Sequence, residues 1–428
     1  MNLAGLAADN APPLEVPFGL FYLMPVFLGL AGTVLAVHGD QVLASRWTPA
    51  ALAVTHFILL GALAPVMCGA ILQIAPVLLG APYPRVRLVA LLTGSGLALG
   101  SLCVGAGFLL DLPPLLLAGG VLAGSGLSAF LISSFVALRS AAVARRETLW
   151  TVRLAIAALA GVLALGLSLA SARLGWVQLL QYPYWVDTHV AWGLAGWVGL
   201  LLYGIAMQLI PLFYVTPRFP RWLLGAFPAV ILCLLALVPL RGLAPAAAGG
   251  LQHWVIGLLF GTYLVYTAAA LWIERQRKRP RRDANLWLWQ ASHAGVLAAI
   301  AVWLGGGPTI LLGILLLAAA VSFIVGALLK IVPFLSWLDL QQRLVAGRHH
   351  AIRLPRLNTL LPDRYANAVA LMLLVALLAL SLAVLLPAMV HAGGVLFIAF
   401  ALMLGAALAR SVYIRQGVLQ QLRQDGGR

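Results

Sequence analysis

Charge is what this sequence has least of. Of 428 residues, 11 are acidic and 27 basic, 9% together. The acidic residues are Asp9, Glu15, Asp40, Asp111, Glu147, Asp187, Glu274, Asp283, Asp339, Asp363 and Asp425, each outside or at the edge of an apolar run. A proton pump or proton-coupled carrier usually needs a carboxylate inside the membrane that can change its charge. None is available on this reading, which argues against proton pumping and, less strongly, against proton-coupled transport. Cysteine is scarce too. Cys68, Cys103 and Cys233 all lie in apolar runs and form no CxxC, which excludes a disulfide framework and a thiolate metal centre. There is no CxxCH haem-attachment site and no nucleotide-binding motif. The opening "MNLAGLAADNAPPLEVPFG" has no Lys or Arg, so it lacks the basic region of a cleaved secretory signal and is expected to be retained.

What is abundant is apolar sequence, at 63% of residues and a mean hydropathy of +1.03. No soluble domain of this size has that balance. The runs are continuous for roughly 20 residues or more, which fits helices rather than the alternation of a β-barrel. Twelve spans are expected, at about 17–37, 51–79, 88–110, 114–138, 150–171, 189–213, 222–240, 251–273, 286–305, 308–335, 366–387 and 391–412. The expected fold is an all-α polytopic membrane protein of about twelve helices. Residues 1–16 form a short N-terminal segment, 17–412 the transmembrane domain and 413–428 a basic tail.

The net charge of +16 belongs to topology. Of the 27 Lys and Arg residues, 23 follow even-numbered spans; only Arg46, Arg173 and Arg241 follow odd ones, and Lys330 lies within a span. By the positive-inside rule the arginine-rich face and both termini are cytoplasmic, in a multi-pass protein of a bacterial inner membrane. Nucleic acid is therefore not an expected partner. The lipid bilayer and other membrane or respiratory subunits are.

A short device recurs. Residues 69–76 read "GAILQIAP", 204–211 "GIAMQLIP" and 326–333 "GALLKIVP", near the arginine-rich ends of spans 2, 6 and 10. Gln73, Gln208 and Lys330 hold the same place in each copy, as do Pro76, Pro211 and Pro333. Thr55-His56 and Thr188-His189 match near the other ends of spans 2 and 6, and His253 and His391 open spans 8 and 12. A repeat every four spans implies a pseudo-three-fold plan of four-helix units, with matching spans running in the same direction. Each proline frees a backbone carbonyl one turn back, at Leu72, Met207 and Leu329. The three polar residues are expected to gather in an internal cluster, with Lys330 hydrogen-bonded to the two glutamines or snorkelling to the nearby interface.

Twelve helices with a three-fold repeat and cytoplasmic termini resemble haem-copper oxidase subunit I and its divergent relatives, such as the NnrS family. His56 stands near the place where the oxidases carry an axial haem ligand. The oxygen-reducing centre is not reproduced. His189 is followed four residues on by Gly193 where the family has a tyrosine, span 7 has no histidine pair, and span 10 has no histidine. The resemblance implies a relative that has lost oxygen reduction and binds haem b or copper in respiratory or nitric-oxide metabolism. Neutral imidazole is the usual protein ligand for either. His56 with His189 is the first candidate pair and His253 with His391 the second; Met24, Met67 and Met207 are candidate soft copper ligands, though packing is the commoner role. A transporter or channel for a small solute or metal ion, with Gln73, Gln208 and Lys330 on its path, is the alternative. A non-catalytic scaffold subunit is the third reading. His349 and His350 sit in a basic loop suited to anionic headgroups.

Overall fold

A computed structural model describes residues 11–141, 146–240, 251–279, 282–346 and 353–425. His349 and His350 lie outside them. The described chain is helical, without strands. Eleven helices among these residues are long and apolar enough to cross a membrane: α1 (Glu15–Ala44), α2 (Pro49–Leu79), α3 (Val86–Leu109), α4 (Pro113–Arg139), α5 (Arg146–Arg173), α6 (Tyr182–Tyr214), α8 (Leu251–Arg275), α9 (Ala284–Leu304), α10 (Thr309–Ala346), α11 (Asp363–Leu382) and α12 (Met389–Asp425). The expected seventh span is α7, Arg221–Leu237, an apolar helix of 17 residues. At 1.5 Å per residue it reaches about 26 Å, a little less than the roughly 30 Å of a hydrocarbon core. The tail expected from residue 413 continues α12 without a break to Asp425.

The bundle closes on itself, because α12 packs along α1 as well as α11. Other extended pairings join α3 to α4 and α9 to α10. Small residues make the closest of these possible. A Cβ on Gly100 would lie 2.6 Å from the Ala123 nitrogen, and one on Gly96 would lie 2.7 Å from the Leu122 carbonyl. The α3 and α4 backbones therefore touch. Apolar side chains such as Leu91, Ile132, Phe135, Leu371 and Leu402 cover the outside of the bundle, as a lipid-facing surface requires.

α10 packs mainly on α9 and α12 and also touches both α2 and α6. These two helices share a feature that periodicity does not reveal. Each changes from α to π geometry partway along, at Phe57–Leu63 in α2 and at Trp192–Gly199 in α6. Both stretches lie between the helix's histidine and its Gly-to-Pro octet. α10, which carries the third octet, is α-helical throughout. Within the α6 stretch, the Tyr263 hydroxyl of α8 donates to the Ala195 carbonyl. Only glycine fits at position 199, where a Cβ would meet that same tyrosine oxygen at 2.1 Å.

Candidate functional site

The two π stretches face one cavity. It has a volume of about 580 Å³ and lies among α1, α2, α6, α8, α9, α10, α11 and α12. Ile58 and Leu59 come from the first π stretch, and Leu194, Ala195, Val198 and Gly199 from the second. π turns inside α-helices recur at functional sites because they re-aim side chains that a regular helix would hold elsewhere. The wall is otherwise mostly aliphatic and aromatic, as at Ile256, Phe260, Phe323 and Phe397. Its size falls in the range of small-molecule sites, which are largely apolar with a few convergent polar groups.

Those polar groups sit at the two ends. At the arginine-poor end, Arg46 after α1 forms an ion pair with Asp187 of α6. The Arg46 guanidinium also lies 4.4 Å from the centre of the Trp47 ring. Both charged side chains are about a third exposed, at 35% and 38%, so the pair is a solvated rim rather than a buried bridge. At the deep end Tyr203, Tyr263 and Ser292 line the cavity. Tyr203 packs closely on Tyr266, with ring centroids 4.0 Å apart.

The candidate histidines do not line this cavity, among the described residues. His56 has Nδ1 2.8 Å from the Leu52 carbonyl, one turn back on its own helix, and its ring lies 5.3 Å from Phe108 of α3. His189 lies against α5, where a Cβ on Gly166 would be 3.2 Å from its Cε1. Its Nδ1 has no hydrogen bond of good geometry, while the imidazole interacts with the Val162 backbone one turn before Gly166. The two imidazoles are near enough to interact electrostatically, so the structure brings the first candidate pair into one region. It seats the second pair on different helices. His253 stacks on Trp303 of α9 at 4.8 Å, while His391 ties α12 to α1 through the Ala36 carbonyl at 2.9 Å and Asp40 at 3.4 Å.

A bis-imidazole haem needs an open slot between two facing rings. His56 and His189 instead press on Phe108 and on the Gly166 backbone, and the open space beside them is lined by their neighbours Thr55 and Val190. The pair does not fit a haem. Two imidazoles offer donor nitrogens to a single metal ion, but among the described residues no third His, Cys, Asp or Glu joins them. The bond from His56 Nδ1–H to a carbonyl is the orientation that outer-shell partners impose on ligating imidazoles, and it leaves Nε2 free. His56 Nε2 and a ring nitrogen of His189 would be the ligands. Met24, Met67 and Met207 are buried in the apolar core.

The polar device at the other membrane face also differs from expectation. Lys330 Nζ lies 2.7 Å from Asp283 Oδ2, with its ammonium 4.4 Å from the Tyr214 ring centre and 5.2 Å from that of Phe213. Gln73 is buried, with its Oε1 unpartnered, so it does not accept from Lys330. Gln208 of α6 is half-buried. A carboxylate is a stronger acceptor for an ammonium than a neutral amide, and Asp283 stands at the start of α9 within reach. Asp283 also caps α9 by accepting from the Leu286 N–H at 3.0 Å and receives the Tyr214 hydroxyl at 2.8 Å. Burial would raise its pKa, but the Lys330 charge, with these hydrogen bonds, outweighs it and holds the carboxyl below its usual range.

One group overturns an expectation outright. Glu274 does not sit at a solvated helix edge. It is 1% exposed and faces His293, which is 0% exposed, with Oε1 and Nε2 3.4 Å apart. A buried carboxylate is therefore present near the arginine-rich end. The signal for it was in the sequence. Tyr266, Ala270 and Glu274 recur at four-residue intervals on α8, and Asn285, Trp289 and His293 do so on α9, so each set shares one helix face. Compared with known proteins, the chain matches no family model and no curated sequence.

Proposed function

We propose that this polytopic membrane protein holds a lipid-soluble molecule, with an apolar body and a polar end, in the cavity that the two π stretches line. The carrying observation is that convergence: both interruptions of regular helix open onto one apolar space of about 580 Å³ with a charged rim. The apolar body would lie along Leu59, Val198 and Phe397, and the polar end at Arg46 and Asp187. This is a carrier or binding role of the transporter class, with no catalytic residue assigned. We place it on a haem-copper oxidase subunit I-like plan without the oxygen-reducing site. That plan rests on the sequence resemblance; α2 and α6 share a π stretch, and α10, which carries the third octet, has none. In this reading the arginine-rich face is cytoplasmic and the rim of the cavity faces out from a bacterial inner membrane.

Gly313 provides a clean test. It lines the cavity, and a Cβ there meets nothing within 4 Å. Gly313→Phe is expected to fill the space without straining the fold. Mass spectrometry of organic extracts from purified protein should show the co-purifying molecule reduced by about tenfold or more, equivalent to about 1.4 kcal/mol of binding. The thermal midpoint should hold. An extract identical to wild type would overturn the reading.

A second reading rests on His56 and His189, two neighbouring imidazoles held by the Leu52 and Val162 backbone, which would offer nitrogens to copper. Metal analysis is expected to find copper that is lost in His56→Ala and in His189→Ala, and the reduced-minus-oxidised visible spectrum should lack a Soret band. A Soret band lost in the same variants would restore a haem. A colourless, metal-free preparation would sink both metal and haem.

A further inference from the structure

The Glu274–His293 pair is the least satisfied polar site among the described residues. Both Glu274 oxygens and both His293 nitrogens are buried without a hydrogen-bond partner, although Oε1 and Nε2 stand only 3.4 Å apart. Nearby, the Tyr266 hydroxyl, the Arg277 Nε and the Asn285 Nδ2 are buried and unpartnered as well. The Tyr266 and His293 ring centroids are 6.5 Å apart. A carboxylate shut away from water with no donor is among the costliest arrangements a protein can hold. Its neighbours therefore say what it is for.

The charged and titratable groups around it come from every packed element. From α6 there are Tyr214 and Tyr203, and from α8 Tyr266. The α8–α9 connection supplies Arg277, Arg279 and Asp283, while α10 supplies Lys330 and the start of α11 Asp363. Arg277 donates to the Glu274 backbone carbonyl at 3.3 Å, and Arg279 to the Phe213 carbonyl at 3.1 Å. Lys330 is held by Asp283. The three cations are matched by Asp283, Asp363 and Glu274 itself, and among the described residues no third His, Cys, Asp or Glu joins the pair, so a metal here would have only two protein ligands. A proton adds the least charge that can neutralise the pair.

We propose that Glu274 and His293 together form a proton-binding site that loads from the arginine-rich face. One proton, given up by hydronium at that face with water left behind, takes the pair from a net charge of −1 to 0. It enters by way of Asp283 and Tyr214, which are hydrogen-bonded to each other. The site lies near the deep end of the cavity, linked to it through Tyr266, whose ring is 6.5 Å from that of His293 and packs on the lining residue Tyr203. Tyr266, packed on the floor residue Tyr203, is the next hydroxyl on the cavity side. The buried carboxylate that coupling to protons requires is thus present.

The test uses the full chain in lipid nanodiscs, with infrared difference spectra recorded as pH is stepped and metal analysis on the same sample. A carboxyl band pair that titrates in wild type should vanish in Glu274→Gln and persist in Glu15→Gln, whose carboxylate is 64% exposed. In His293→Gln its midpoint should move by about one unit or more, the size of a close charge interaction. A Glu274→Gln spectrum identical to wild type overturns the proposal. So does a stoichiometric metal lost in that variant, which would make the pair a metal site. If Glu274→Gln does not fold, His293→Gln decides: a moved midpoint supports the site and an unmoved one overturns it. No guest or copper enters this measurement, so it stands apart from the cavity and metal readings.

Discussion

Gly100→Leu is expected to abolish the stable pairing of α3 with α4. The Cβ alone would stand 2.6 Å from the Ala123 nitrogen and 2.9 Å from its Cα, which are backbone atoms that cannot rotate away. The rest of the leucine would have to push the helices apart. The loss would spread along the seam, since Cβ atoms on Gly96 and Gly119 would lie 2.7 Å from the facing backbone and one on Gly126 3.0 Å. In a membrane, close van der Waals packing is a main force holding helices together, because lipid is as apolar as leucine. Overpacking a tight core costs about 1–3 kcal/mol, and backbone contact puts this case at about 3 kcal/mol or more. Thermal unfolding in detergent and the yield of monodisperse protein will show it. Gly261→Leu is the control: it is exposed on α8, and a Cβ there meets nothing within 4 Å, so it should be close to neutral. Equal stability of the two variants would refute the seam.

Asp283→Asn is expected to destabilise the arginine-rich end by about 2 kcal/mol. Asparagine caps a helix as well as aspartate does, so the α9 cap survives and only the charge is removed. Lys330 then keeps its ammonium in a part-buried place beside the Phe213 and Tyr214 ring faces, with Asp363 as a remaining counter-charge and Arg279 as a repelling one. Breaking a fully buried pair from one side costs about 3–5 kcal/mol; here the side chains are 29% and 25% exposed, which reduces it. Adding Lys330→Met should recover much of the loss, because no unpaired charge remains. The pH dependence has a definite sign. The Asp283 carboxyl is held below its usual range, so its contribution is complete above the unfolded carboxyl pKa of about 3.9. It is lost as pH falls through the lower folded value. Melting curves from about pH 7 to about pH 3 should show an acid-side loss in wild type that is reduced in Asp283→Asn.

The position of each histidine along its helix was legible in the sequence, but its direction around the helix was not. His56 and His189 share a depth because each opens its span. Which neighbour each ring meets depends on where α3 and α5 pack, and that is set by side chains scattered along both partners. The π stretches add a local reason. Each gives its helix a different number of residues per turn over seven or eight residues. The face that carries His56 is therefore no longer the face that a regular 3.6-residue count predicts for Gln73. Glu274 was misplaced for a similar cause. It stands just before the run "RQRKR", and the charge density there reads as solvent, whereas the one face shared by Tyr266, Ala270 and Glu274 turns to α9.

The sequence by itself determined the helices and their lipid-facing surface, with eleven of the twelve expected spans long enough to cross a membrane among the described residues, because apolar length acts without regard to neighbours. It also marked Lys330 as the basic residue inside a span. Only the tertiary structure decided what Lys330 meets. Its partner is Asp283, 47 residues away at the start of another helix, and not the glutamine in the equivalent place on α2. The physical reason is that a span is stabilised residue by residue against lipid. A buried charge is stabilised only by the particular group that packing brings within reach.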